Sequence, residues 1–189
     1  MANRESQIAN RCLAVLLFAI CNLLSACALP GNAAPVVKIG VIAPFEGAGR
    51  PLGYAVLPAI KAAAAEANAR GELGRTRVLV VAFNDDLHGP TAAAQARALA
   101  LDPEVLAVIG PWTAETVAAA APILAEAGLP FIAREDLALP AAGERWGDAV
   151  LAEAAARASA DTRRLLRALA DAARRHGRPA RAGVAAALP

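Results

Sequence analysis

The residues best equipped for chemistry in this 189-residue chain lie in Gly110-Pro111-Trp112-Thr113-Ala114-Glu115-Thr116, where an apolar strand gives way to a helix. Backbone N–H groups at a helix start carry partial positive charge and suit a carboxylate. Thr113 and Thr116 add hydroxyls. Trp112, with Phe45 from an earlier loop, could wall a ligand with apolar surface. Thr113 has an equal claim as a helix N-cap, and Trp112 as core packing. Asp85 and Asp86 follow another strand as an acidic turn, with no cluster of His and Glu within reach. No metal and no cofactor are expected from that set. His88 and His176 are isolated and lack a recognisable catalytic partner.

Catalysis finds little support elsewhere. There is no Gly-x-Ser-x-Gly elbow, no P-loop and no complete Gly-x-Gly-x-x-Gly. Gly47-Ala48-Gly49 is only a fragment of such a loop. Beyond residue 26 the chain holds one serine, Ser159, and no nucleophile–base pair. The chain therefore does not read as an enzyme. Its net charge of +2, with arginines scattered rather than striped among aromatics, also argues against a nucleic-acid surface.

The elements that must hold these loops alternate in type. Four apolar runs, Val36–Ile42, Arg77–Phe83, Val105–Ile109 and Pro130–Ala133, are separated by Ala-rich helical stretches. The helices are expected at about Leu52–Arg70, Pro90–Leu101 and Thr113–Ala127, with Gly71 and Gly128 as stops. Such alternation predicts an α/β fold, a doubly wound and mostly parallel sheet of about four strands covered on both faces. Ligands of such sheets bind beyond the carboxyl ends of the strands. After Pro140 the pattern changes. Residues 141–147 read as a linker, and Asp148 to Arg175 as helical, with a break near Ser159 and Asp161 capping the second part. Gly177 and Pro179 end it, and a last short helix carries Val184 and Leu188.

The N-terminus reads as an export signal. Arg4 and Arg11 precede an apolar stretch from Leu13 to Leu24, too short for a comfortable membrane span. It ends in Leu24-Ser25-Ala26-Cys27, which resembles a bacterial lipobox. That resemblance implies a lipid on the Cys27 thiol, cleavage just before it, and anchoring to a membrane on the exported side. Cys12 and Cys21 fall within the removed segment, so no disulfide and no cysteine metal site are expected. The organisation is then a signal peptide at 1–26, a lipidated cysteine and tether at 27–35, and an α/β lobe at 36–140. The linker at 141–147 and C-terminal helices at 148–189, packed on the same lobe, complete it.

Several stretches together resemble one family. They are Ile39-Gly40-Val41-Ile42-Ala43-Pro44 with Gly47, Ala64-Ala65-Glu66-Ala67-Asn68 before Leu73-Gly74, Asn84-Asp85-Asp86 with Pro90, Ala107-Val108-Ile109-Gly110-Pro111, and Ala125-Glu126-Ala127-Gly128-Leu129-Pro130. In this order and spacing they resemble the first lobe of type I periplasmic binding proteins, the leucine/isoleucine/valine-binding family of ABC importers. Asp161–Leu166 and Gly177–Val184 resemble that family's late helices, which return to the first lobe. The long segment that builds a second lobe is absent between the two regions, so the chain is expected to form one lobe. The resemblance implies binding of an amino acid, with an ABC permease as partner. It also implies two ligand-contacting hydroxyls, at positions that fall on Ala114 and near Leu137, and neither residue carries one. The expected function is substrate binding for an importer of branched-chain or related amino acids. The alternative is an envelope lipoprotein serving as an interaction or dimerisation module, with a second copy as partner.

Overall fold

The computed structural model describes residues 34–137, 140, 144–177, 179 and 181–185. The expected signal peptide, Cys27, the tether up to residue 33, linker residues 141–143 and Leu188 lie outside the described residues. Four strands form one parallel sheet: β1 (Val36–Ala43), β2 (Arg77–Asn84), β3 (Val105–Ile109) and β4 (Phe131–Ile132), in the order β2-β1-β3-β4. Among the described residues five α-helices and a 3-10 turn at Gly47–Gly49 accompany it: α1 (Arg50–Arg70), α2 (Gly89–Leu101), α3 (Ala114–Glu126), α4 (Asp148–His176) and α5 (Arg181–Ala185). The expected strand–helix alternation is present, and its element ends differ by one to two residues from those read in the sequence.

The two faces of β1 explain its nearly continuous apolar run. Ile39, Val41 and Ala43 face a core shared with Leu52, Val56 and Ile60 of α1 and with Leu165 and Leu169 of α4. Ile42 faces the opposite core, built with Ala96 and Leu99 of α2, Val108 of β3 and Leu124 of α3. A strand buried on both faces cannot alternate apolar with polar residues, so it reads as an unbroken hydrophobic run. β3 is buried at all five positions, and its register against β1 slips by one residue, so that Lys38 pairs with Val105 and Ile39 with Ala107. The extra residue, Leu106, turns into the same core as Ala107.

α4 corrects one expectation. The helix runs unbroken through Ser159, and Asp161 lies within it instead of capping a second segment. Continuity follows from the buried stripe Ala154, Ala158, Thr162, Leu165, Leu169 and Ala172, whose spacing keeps one face on α1 throughout. Thr162 joins that stripe by donating its hydroxyl to the Ala158 carbonyl at 2.7 Å. Gly177 ends the helix in the left-handed conformation at φ 71°, as its position after the last turn predicts. α5 then docks through buried Val184, and Arg181 donates to the carbonyls of Ala100, Asp102 and Val105.

Asp161 instead serves a tertiary contact. Its buried carboxylate accepts from Nε and Nη2 of Arg134 at 3.0–3.3 Å, joining the loop after β4 to α4. Arg157 on the same helix donates to Asp136 of that loop at 2.7 Å and holds its carboxyl below the usual range. Removing Arg134 would strand a buried charge, which costs about 3–5 kcal/mol in a fully buried pair. Because the Arg134 side chain is 29% exposed, we expect Arg134→Ala to cost about 2–3 kcal/mol in urea unfolding. In the Asp161→Asn background the same substitution should cost under half as much.

Candidate functional site

Three short loops leave the carboxyl ends of β1, β2 and β3 on one edge of the sheet, and the segment after β4 joins them. Two glycines allow the close approaches there. At Gly53, in the first turn of α1, a Cβ would lie 2.0 Å from the Pro44 carbonyl oxygen. At Gly110, φ is +93° and a Cβ would lie 2.1 Å from the Ile42 carbonyl oxygen. Gly53 meets a demand of space alone, while at Gly110 only glycine meets both conformation and space. The Gly110–Pro111 peptide is cis, and the chain then turns into α3.

Thr113 is the N-cap of α3, and the cap is reciprocal. Thr116 N–H donates to the Thr113 hydroxyl and Thr113 N–H to the Thr116 hydroxyl, each at 3.3 Å, while the hydroxyls lie 2.8 Å apart. Both threonines are buried. Their hydroxyls are thus committed to each other and to the helix start. Ala114 and Glu115 come next, both exposed, and at the first two helical positions their N–H groups have no acceptor within the helix. The edge therefore offers backbone donors in the first turn rather than side-chain hydroxyls.

Neighbouring loops are tied together by side chains whose roles the sequence did not reveal. The Asn84 side-chain carbonyl accepts from Phe45 N–H at 2.7 Å and Asp86 N–H at 3.2 Å, locking the second loop to the first. Glu115 accepts from Gly89 N–H at 2.8 Å, placing a carboxylate at the start of α2 and joining it to α3. In the sequence Asn84 stood out only as part of the stretch Asn84-Asp85-Asp86 and Glu115 only as part of the loop from Gly110 to Thr116. Neither signal names a partner 26 or 39 residues away.

The apolar candidates separate in depth. Phe45 is half-buried and meets exposed Tyr54 edge-on at 6.5 Å, while Arg50 stacks on the Tyr54 ring at 5.0 Å. Trp112 is 1% exposed, packed in the core on the α1 side, and its indole N–H has no partner among the described residues. Leu137 is half-buried against that same core. Phe45 and the first turn of α3 thus reach the edge, whereas Trp112 supports it from below. Beside the first loop, a groove of about 720 Å³ runs between Gly47, Ala48 and Pro51 and the start of α4. There Trp146 donates its indole N–H to the Ala48 carbonyl at 2.7 Å.

Asp85 is fully buried beneath the second loop. One carboxylate oxygen accepts from Leu87 N–H at 3.1 Å, and the other has no partner among the described residues. Burial pushes its pKa up to about 6, and the nearby Asp86 charge adds to the rise, while backbone N–H donation opposes it. Asp86 and Leu87 sit at φ 53° and 57° to complete this turn. Among the described residues no group of three His, Cys, Asp or Glu side chains could hold a metal ion.

A parallel sheet between two helix layers, with loops gathered at its carboxyl edge, defines an α/β lobe of the kind that holds ligands in a crevice. Residues 36–188 match the family model described as periplasmic binding protein, and the chain belongs to that family of extracytoplasmic solute-binding proteins. No curated protein matches the chain. Among solved structures, one described as a possible leucine/isoleucine/valine-binding protein from Rhodopirellula baltica is 28% identical with a TM-score of 0.51. The match covers 55% of this chain and 28% of that one. The branched-chain amino-acid substrate-binding protein LivJ of Streptococcus pneumoniae, solved with isoleucine, is 30% identical with a TM-score of 0.49, over 52% of this chain and 28% of that one. The chain thus spans under a third of the length of these relatives, and its described residues form a single lobe.

The Asp85 shift has a definite sign. Its folded pKa of about 6 exceeds the ordinary 3.8, so the folded state binds the extra proton first. Stability therefore rises as pH falls from 7 towards 5, by about 1 kcal/mol, since uptake of the proton near pH 6 gains about 1.4 kcal/mol for each pH unit below it. Urea midpoints across that range should move upward on acidification, and Asp85→Asn should flatten the slope.

Proposed function

We propose that this chain is a substrate-binding lipoprotein of an ABC importer for branched-chain or related amino acids, reduced to one lobe. The observation that carries the proposal is the likeness to the Rhodopirellula protein, together with the open first turn of α3 at the carboxyl edge. In this scheme the α-carboxylate of the amino acid accepts from the N–H groups of Ala114 and Glu115, where the helix end contributes positive potential. Phe45 lines the side-chain end of the ligand, and Trp112 and Leu137 back the wall from within the core. Thr113 and Thr116 hold the helix start in place for that contact. The edge is open to water on one side, so each hydrogen bond gains little over its hydrated state, and affinity is low. A permease is the partner in import, and the lipid on Cys27 keeps the lobe at the membrane.

A second proposal is an interaction module of the envelope without solute binding. It is favoured by the commitment of both threonine hydroxyls to the cap and by Ala114 and Leu137, which carry no hydroxyl.

Thermal-shift titration with an amino-acid panel distinguishes the two. Solute binding predicts a response to leucine, isoleucine or valine at millimolar concentration and none to the corresponding amides, which lack the carboxylate. Ala114→Ser adds one hydroxyl beside the carboxylate position and should tighten binding about tenfold, the worth of one good hydrogen bond. No response to any amino acid, in either protein, would leave the interaction module as the function. For the anchor, labelled palmitate should enter the wild-type protein in cells and be absent from Cys27→Ala.

A further inference from the structure

β2 lies at the edge of the sheet and, among the described residues, pairs with β1 alone. In a parallel pair alternate residues turn both backbone groups inward. Arg77 and Asp85 donate towards β1, to the carbonyls of Pro35 and Ala43, so the odd-numbered positions face inward and the even-numbered ones outward. The outward groups of Val78 are already taken. The Asn68 side chain donates to the Val78 carbonyl and accepts from its N–H, both at 2.9 Å, imitating a neighbouring strand. The open part of the edge is therefore Val80, Ala82 and Asn84. Natural edges are blunted by lysine, proline or bulges, and the stretch from Val80 to Asn84 contains none of these.

We infer that this edge pairs with β2 of a second copy of the chain, antiparallel and about a two-fold axis through Ala82. Three features select that partner and register. Three outward residues at a spacing of two match themselves when reversed: Val80 meets Asn84 of the second copy, Ala82 meets Ala82, and Asn84 meets Val80. Every open N–H and C=O then finds a complement. Sliding the pairing by two residues towards the start of the strand would bring it onto Val78, where Asn68 already occupies the groups. Charge agrees in sign as well. Exposed Arg77 lies at one end of the strand and exposed Asp86 beyond the other, so reversal brings opposite charges to the same end of the pair.

Side chains fit the same arrangement. Ala82, exposed and small, sits on the axis where two identical residues face each other directly. Half-buried Val81 and Phe83 become cross-strand neighbours, and Leu79, 47% exposed in the single chain, lies diagonally beside Phe83 of the other copy. The paired sheet would have eight strands. This pairing is independent of whether the lobe binds an amino acid.

Cysteine cross-linking in cells tests it with the full chain. Directly opposed residues of a hydrogen-bonded antiparallel pair have Cα atoms about 5.5 Å apart, within disulfide reach. Under copper-phenanthroline oxidation, Ala82→Cys should form a species of twice the chain mass. The wild type, with only Cys12, Cys21 and Cys27, and Leu101→Cys, 85% exposed and away from the edge, should not. Hydrogen exchange on the purified protein supplies a second measure, with β3 amides reporting that the chain is folded. The amides of Val80, Ala82 and Asn84 should slow about tenfold or more as concentration rises. Equal cross-linking through Leu101→Cys, adducts only of another mass, or fast exchange at those amides at every concentration would overturn the proposal.

Discussion

The structure depends on covering both faces of β1 and β3. Ile39, Val41 and Ile109 face one helix layer and Ile42 and Val108 the other, and all five are buried. A bare face would return these side chains to water at about 1.5–3 kcal/mol each. On one side the cover comes from neighbours in sequence, α2 and α3. On the other, α1 is aided by α4, which arrives from the far end of the chain and contributes Leu165, Leu166 and Leu169. The late helix is thus part of the lobe's core and not an appendage to it.

That return also shapes the carboxyl edge. α4 holds the segment after β4 through Arg134–Asp161 and Arg157–Asp136, while Asn84 and Glu115 join the earlier loops to one another. Each tie spans elements, so the positions of the loops follow from the packing of helices rather than from the loops themselves. The first turn of α3 is the best-defined part of the edge because its cap closes on itself through two threonines. Its exposed amides are fixed in direction before any ligand arrives, and such preorganisation lowers the entropic cost of binding.

Much of the fold was legible along the chain. Apolar runs with glycine stops marked the strands and helices, since burial on both faces leaves its imprint on every residue of a strand. Thr113 already read as a helix N-cap, whereas Thr116 was expected at the ligand and turned out to close the cap. What failed was the break at Ser159. A small polar residue inside an Ala-rich stretch suggests a boundary only when the stripe continuing beneath it is overlooked. Asp161 looked like a cap for the same reason, because the charge that accounts for it, Arg134, lies 27 residues away.

The sequence by itself determined the family and the succession of four strands along the chain, and it marked the loop proposed to meet a carboxylate with backbone donors. Those properties arise from local periodicity, turn residues and helix ends, which neighbouring residues encode. The tertiary structure alone decided that Trp112 sits in the core while Phe45 reaches the edge, that Asp85 is buried with one oxygen unpartnered, and that Asn68 closes part of an otherwise open strand. Depth, desolvation and pairing across the sheet depend on which distant segments come together. No spacing within a single loop records that.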